Sequence, residues 1–188
     1  MRKLSVQQHV SLDGHILEEG SEFWGWWAAQ PDDDEADEYL VRALRRAGTH
    51  IMGRVTYEAM AAHWPSSDAP VAPVMNTVPK VVFSSTLISA EWPESRIARG
   101  DTADEIASLK SEPGDEIVAH GGTRFVQSLA RLGVVDEYRL YVYPVVTGTG
   151  SSLFGTITAV QPLRLISSKA FPSGFMELVY ETVHRPTR

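Results

Sequence analysis

A glycine, an arginine and a threonine stand where a predicted strand turns into a predicted helix. The strand covers residues 49–52, Gly53 ends it, and Arg54 and Thr56 follow as helical spacing begins. An ordinary strand-to-helix turn with a threonine cap would explain these residue types. The same residues would also bind an anion, because free backbone N–H groups and the helix dipole meet there and Arg54 adds a charge-assisted donor.

A second turn of this kind follows the predicted strand at 116–119. Gly121 and Gly122 lead directly into a helix that begins with Arg124. Ligands of open α/β sheets bind outside the carboxyl ends of the strands, where the serine pair at 84–85 also lies. Two anion-binding turns flanking a serine-bearing strand end favour a dinucleotide over a single phosphate. Neither G-x-G-x-x-G nor a P-loop motif is present, so the usual Rossmann and P-loop sites are excluded.

The composition limits the class of protein. The 188 residues fit one domain, 1–188, with a substantial core. No apolar run reaches about 18 residues, which predicts no membrane span. The absence of cysteine excludes disulfides, thiolate zinc sites and a cysteine nucleophile. The net charge of −7 argues against broad nucleic-acid binding, and the N-terminus lacks a signal-peptide pattern, so a cytoplasmic location is expected.

Strands and helices alternate along most of the chain, which predicts an α/β fold with a mainly parallel sheet covered on both faces. Strands are expected at 3–10, 49–52, 80–84, 116–119 and 138–146, and helices at 35–47, 55–62 and 124–132. Another helix is expected from Thr102, which has capping-box spacing to Glu105. Residues 15–34 and 63–79 are expected to be loops, and two strands near 163–170 and 175–183 to form an antiparallel hairpin.

Five segments together resemble the dihydrofolate reductase-like superfamily. They read SLDG-x-I, IMGRVTYE, VVFSS, AHGGTRFVQSL and VDEYRLYVYPVVTGTGSSLF. More closely, they resemble its branch with the reductase domain of riboflavin biosynthesis, the RibD C-terminal-like proteins, over nearly the whole chain. The resemblance implies a dihydrofolate reductase-like three-layer fold with an antiparallel C-terminal hairpin, and NADPH as the cofactor. It also implies a cis or distorted peptide between Gly121 and Gly122.

The resemblance assigns cofactor contacts to residues at several strand ends. Arg54 matches the arginine that meets the phosphate on the adenosine ribose, and Thr56 matches the residue that binds the pyrophosphate. His9, Val10 and Ile16 match backbone positions that hold the nicotinamide ring, although His9 is equally well explained as a strand histidine at the rim. The other cofactor-binding residues implied are Gly53, Val55, Ser84, Ser85, Gly121, Gly122, Thr123, Arg124 and Phe125.

Two carboxylates are candidates for a catalytic acid. Dihydrofolate reductases carry an acid on the helix before the matching G-R-x-T segment, and Asp37 takes that position when the chain is read without gaps. An acid in a first helical turn is otherwise a dipole partner that faces water. Asp13 lies on the loop that would cover the nicotinamide, and it would otherwise form an Asx turn before Gly14. Positioning of the two rings can supply much of the rate without either acid.

The aromatic candidates for a substrate pocket are Trp24, Tyr57 and Trp64, together with Trp26 and Trp27. Packing in the core or in a dimer would explain the same side chains. The glycine-rich turn at 147–150 offers hydroxyl and backbone donors for an anion, and an ordinary strand-connecting loop would explain it equally.

These features favour an NADPH-dependent oxidoreductase that reduces a small heteroaromatic substrate, pterin- or pyrimidine-like, with the riboflavin pathway as one source. The deaminase step of that pathway is excluded, because the chain has no zinc deaminase domain and no cysteine. The alternatives are a nucleotide-binding or sensory module without turnover, and a cofactor-free ligand-binding or scaffold protein. A homodimer is also expected, because the apolar strand YRLYVYPVV is predicted near a sheet edge that needs cover.

Overall fold

One sheet organises the chain, and the computed structural model describes residues 1–31 and 33–183. The strands are β1 (Leu4–Ser11), β2 (Ala47–Gly53), β3 (Lys80–Phe83), β4 (Ser95–Ala98), β5 (Glu116–His120), β6 (Glu137–Tyr143), β7 (Leu163–Ala170) and β8 (Met176–Thr182). They form an eight-stranded sheet in the order β4-β3-β2-β5-β1-β6-β8-β7. Pairing is parallel from β4 to β6, and β8 runs antiparallel to both β6 and β7. The predicted mainly parallel sheet with an antiparallel C-terminal hairpin is therefore confirmed, while residues 32 and 184–188 of the predicted domain lie outside the described residues.

Helices cover both faces of the sheet. They are α1 (Glu22–Ala28), α2 (Asp34–Leu44), α3 (Arg54–His63), α4 (Ala72–Thr77), α5 (Thr102–Ser111) and α6 (Thr123–Leu132). Successive strand residues point to opposite faces. Ile51 accordingly packs in a core with α5 and α6, while its neighbour Met52 packs with Tyr57 of α3 and Met75 of α4. None of these helices, over the residues described, is long and apolar enough to cross a membrane.

Three local expectations are corrected. The predicted loop at 15–34 contains α1, whose N-cap Ser21 accepts a hydrogen bond from the Trp24 N–H at 3.0 Å. The predicted loop at 63–79 contains α4 and a short 3₁₀ turn, Trp64–Ser66. Helix α5 is capped one residue earlier than the capping-box spacing indicated, because the Asp101 carboxylate accepts from the N–H groups of the next turn.

The reason given for a dimer is also corrected. The strand in YRLYVYPVV is β6, which lies between β1 and β8 and is therefore covered on both sides within the chain. The edges of the sheet are β4 and β7 instead. A homodimer stays a prediction, and any support for it must now come from those edges or from helix surfaces.

Candidate active site

The two predicted anion-binding turns meet at the carboxyl end of the sheet. They are adjacent because β2 and β5 are parallel neighbours, and Gly53 and Gly122 are the N-caps of α3 and α6. A Cβ atom at Gly53 would lie 3.2 Å from the Cβ of Phe125. A Cβ atom at Gly122 would lie only 2.7 Å from the Thr56 hydroxyl oxygen. Each turn thus packs its backbone against the helix that begins at the other turn.

The Gly121–Gly122 peptide is not cis. All peptide bonds of residues 1–31 and 33–183 are trans, so the cis expectation was wrong. The turn is made instead by the backbone angles of Gly122, which has φ 79° and ψ 93°. Glycine adopts a positive φ at little cost, whereas other residues do so with strain. Gly121 is less constrained, because a Cβ atom there would have as its nearest neighbours the Gln8 side-chain atoms at 3.8 Å.

Arg54 is exposed at the start of α3, beside the contact between the turns. One of its terminal nitrogens lies 2.8 and 3.0 Å from the two carboxylate oxygens of Glu58, one helical turn later. Val55 and Arg124 are likewise exposed at the starts of their helices. The two arginine side chains are therefore accessible to an anion, and Glu58 competes for one of them.

Glu18 reaches the second turn from the loop after β1. Its carboxylate accepts hydrogen bonds from the Thr123 hydroxyl and, at 3.1 Å, from the Ser151 hydroxyl. The loop is fixed by an isolated bridge from Ile16 to Val10. Sequence reasoning missed Glu18, because no motif connects positions so far apart.

Ser84 and Ser85 follow β3, which borders β2, so they lie at the same edge of the sheet. The Ser84 hydroxyl accepts hydrogen bonds from the N–H groups of Thr86 and Leu87 at 3.2 and 2.9 Å. Ser85 is exposed. The first serine therefore shapes the turn after β3, while the second faces solvent.

Asp13 anchors one loop to another. Its carboxylate accepts hydrogen bonds from the Ser11 hydroxyl at 2.6 Å and from the N–H groups of Thr147 and Gly148 at 3.2 and 2.8 Å. These hydrogen bonds hold the pKa of Asp13 well below its usual range. The carboxylate therefore stays ionised near neutral pH and is a poor proton donor. The expected Asx turn is not formed, because the His15 N–H, two residues on, donates to the Ser11 hydroxyl at 3.0 Å. The Asp13 carboxylate binds the glycine-rich turn at 147–150 instead.

Asp37 is exposed in the first turn of α2. Burial, and to a smaller extent the negative charge of Asp37, raise the pKa of Tyr143 to about 12. Helix α2 packs through Ala36, Tyr39 and Leu40 against a group of aromatic side chains that includes Tyr141, Tyr143 and Phe175.

That aromatic group surrounds His9. The His9 ring centroid lies 4.9 Å from that of Tyr141 and 5.8 Å from that of Tyr143. Tyr143 in turn contacts the rings of Phe23, Trp26 and Phe175. Burial lowers the pKa of His9 to about 4, so the imidazole is neutral at pH 7.

Two of the three predicted substrate residues, Tyr57 and Trp64, share one hydrophobic cluster, while Trp24 lies elsewhere. Trp24 lies on α1 with its ring centroid 5.1 Å from that of Trp27, and it remains partly exposed. Trp64 is half-buried against the cluster around α3. Tyr57 is buried in that cluster, and its hydroxyl accepts a hydrogen bond from the buried backbone N–H of Trp92 at 3.0 Å.

The Tyr57→Phe variant should be less stable by about 1–3 kcal/mol, because the buried backbone N–H of Trp92 loses its acceptor. Urea denaturation followed by circular dichroism measures the difference in the free energy of unfolding. An unchanged denaturation midpoint would show that the hydrogen bond contributes nothing to the fold.

Comparison with known proteins identifies a family and several relatives. Residues 2–176 match the model of the RibD C-terminal domain. Two proteins of Bacillus subtilis strain 168 are similar over most of their lengths, and both are described as uncharacterized. YyaP is 27% identical over 184 residues, 95% of this chain and 94% of its own. YwjB is 32% identical over 171 residues, 90% of this chain and 92% of its own.

Solved structures show the same fold at low sequence identity. A putative riboflavin biosynthesis protein from Shewanella sp. PV-4 has a TM-score of 0.78 and 22% identity, covering 97% of this chain and 99% of that one. The Thermotoga maritima diaminohydroxyphosphoribosylaminopyrimidine deaminase/5-amino-6-(5-phosphoribosylamino)uracil reductase has a TM-score of 0.67 and 13% identity, covering 97% of this chain and 57% of that one. Dihydrofolate reductase from Enterococcus faecalis, complexed with NADP(H), has a TM-score of 0.63 and 15% identity, covering 96% of each chain.

Proposed function

The chain belongs to the RibD C-terminal domain family, and from that membership we propose that it is an NADPH-dependent reductase of a small heteroaromatic compound, pterin- or pyrimidine-like. The observation that carries the proposal is the contact between the two glycine turns, where a Cβ at Gly122 would meet Thr56. Backbone N–H groups at two adjacent helix N-termini, each preceded by a glycine, suit a pyrophosphate. The Enterococcus relative of this fold, complexed with NADP(H), supports the same cofactor.

The residues of the chain fit such a cofactor. The backbone of Gly53, Gly121 and Gly122 would hold the pyrophosphate together with Thr56, and the exposed Arg54 would bind the phosphate on the adenosine ribose. When bound, NADPH supplies the hydride for reduction of the substrate ring. The ionised Asp13 would hold the loop after β1 against the turn at 147–150, and so fix one wall of the site.

Turnover separates this function from the alternatives. The purified protein should oxidise NADPH in the presence of a suitable ring substrate, with dihydrofolate and 5-amino-6-(5-phosphoribosylamino)uracil as the first two probes. The latter compound is named in the Thermotoga enzyme to which the fold is similar. Binding of NADPH without oxidation across a panel of pterins and pyrimidines would favour a nucleotide-binding or sensory module. Absence of both NADPH binding and NADPH oxidation would favour a cofactor-free ligand-binding or scaffold protein.

Replacing Glu58 by Gln should tighten NADPH binding about twofold, because an exposed i,i+4 ion pair that competes for Arg54 is worth about 0.3–0.5 kcal/mol. Isothermal titration of the parent and the variant with NADPH gives the difference. The Glu38→Gln variant removes the equivalent ion pair with Arg42 on α2 and should leave the NADPH affinity unchanged. Weaker binding in Glu58→Gln would show that the carboxylate positions Arg54 instead of competing for it.

A further inference from the structure

The strongest unassigned feature is a hydrogen-bonded chain of three side chains beside the candidate site. The Trp27 indole nitrogen lies 3.0 Å from the Tyr143 oxygen, and that oxygen lies 2.9 Å from Nδ1 of His9. The chain joins α1, β6 and β1 across 134 positions of sequence. No residue in it belongs to the glycine turns, and the phosphate-binding part of the proposed function does not use it.

The chemistry of the indole fixes the first hydrogen bond, and the tautomer of His9 sets the second. An indole N–H can only donate, so the Tyr143 oxygen accepts from Trp27. Having accepted that bond, the Tyr143 hydroxyl can donate its own proton to Nδ1 of His9, its other hydrogen-bond partner among the described residues. With Nδ1 accepting in this way, the proton of a neutral His9 lies on Nε2.

The surroundings keep His9 in this neutral form. The imidazole packs between the rings of Tyr141 and Tyr143, and burial lowers its pKa to about 4. His9 is only partly buried as a residue, and Nε2 makes no hydrogen bond within residues 1–31 and 33–183. A neutral N–H donor is thus left available at the carboxyl end of β1, the edge of the sheet that holds the glycine turns.

We propose that Trp27 and Tyr143 fix the tautomer of His9 so that its Nε2–H donates a hydrogen bond to the substrate. The inference rests on the proposed function, and it narrows the substrate to a planar ring with an acceptor atom at its edge, such as a ring carbonyl or an unprotonated ring nitrogen. An ammonium or an N–H at that edge would meet a donor and be rejected. His9 is the contact residue, and Tyr143 and Trp27 are positioning residues.

The tautomer is measured first, by nitrogen-15 NMR of histidine-labelled protein at pH 7 without any ligand. The parent should show His9 protonated at Nε2 and unprotonated at Nδ1. In Tyr143→Phe the His9 proton should no longer be confined to Nε2, because the hydroxyl that donates to Nδ1 is lost. Tyr141→Phe, which removes the neighbouring hydroxyl of the same strand, should preserve it. A proton on Nδ1 in the parent would overturn the proposal.

Turnover of any compound reduced in the screen then tests the contact with substrate. His9→Leu should lower kcat by at least about tenfold, as for loss of a preorganised donor, while His9→Gln, which keeps an N–H donor, should recover part of the loss. Tyr143→Phe should lower kcat and Tyr141→Phe should not. Equal losses in the two tyrosine variants would overturn the proposal. If no compound is reduced, the proposed function fails, while the NMR result still decides the direction of the hydrogen bonds.

Discussion

Gly122→Ala should abolish measurable NADPH binding and destabilise the protein, whereas Gly121→Ala should leave the free energy of unfolding nearly unchanged. Alanine at position 122 would have to adopt φ 79°, a left-handed conformation that costs about 1–2 kcal/mol per residue. Its Cβ would also lie 2.7 Å from the Thr56 hydroxyl, so the two turns would have to separate. Gly121 does not have a positive φ, and a Cβ there would make only ordinary van der Waals contact with the Gln8 side chain at 3.8 Å. The two neighbours therefore form a matched pair.

A double variant separates the two costs at Gly122. Thr56→Ala removes the hydroxyl that the new Cβ would meet, so Gly122→Ala in that background should lose less stability than in the parent. The energetic cost of a positive φ for alanine at position 122 should remain in the double variant. Urea denaturation gives the free energies of unfolding, and fluorescence titration gives the NADPH affinities. Equal losses of unfolding free energy in Gly121→Ala and Gly122→Ala would show that the close approach of the two turns does not contribute to stability.

The protein should lose stability steeply as the pH falls from 6.5 towards 4.5. Burial is the main cause that lowers the pKa of His50 to about 2 and the pKa values of His9 and His120 to about 4, from an ordinary 6.5. The unfolded chain therefore binds more protons than the folded chain in this range, so the free energy of unfolding rises with pH. Each histidine contributes up to about 1.4 kcal/mol per pH unit there, and nothing above its ordinary pKa.

Histidine variants identify the source of this acid sensitivity. His50 and His120 are in direct contact, with Nδ1 of the first 2.7 Å from Nε2 of the second. His50→Gln and His120→Gln should each flatten the dependence of the unfolding free energy on pH, while the exposed His63→Gln should not. The raised pKa of Glu116 acts in the opposite direction, so each variant is compared with the parent at the same pH. If the unfolding free energy of every variant had the same dependence on pH as that of the parent, the acid sensitivity would not come from His50 and His120.

Local sequence signals identified most of the sheet and both glycine turns. The alternation in β1 and the glycine at the end of β2 are local features, and residues within a few positions determine them. Helix α1 was missed because its tryptophans gave no clear helical period, although Ser21 at its N-cap was a usable signal. Strand β4 was missed because its four residues, SRIA, contain one large apolar side chain, whereas the equally short β3 contains three in a row.

The less predictable features are those made by long-range contacts. Nothing near Gly122 in the sequence indicates that Thr56 fills the space beside it, since β2 and β5 must first become neighbours. The link from Trp27 through Tyr143 to His9 likewise depends on how α1 packs against β6. Asp13 shows the same limit, because the local Asx turn expected for it is not formed and its partners at 147–148 lie far along the chain.

The most direct measurement is a titration of the purified protein with NADPH and, in parallel, with NADH, followed by quenching of its five tryptophans. We expect micromolar binding of NADPH and much weaker binding of NADH. We further expect that Arg54→Ala removes this preference, while Arg42→Ala, which breaks the corresponding exposed ion pair on α2, leaves it intact. Absence of binding by either nucleotide would contradict the proposed reductase and leave only the fold in common with its relatives.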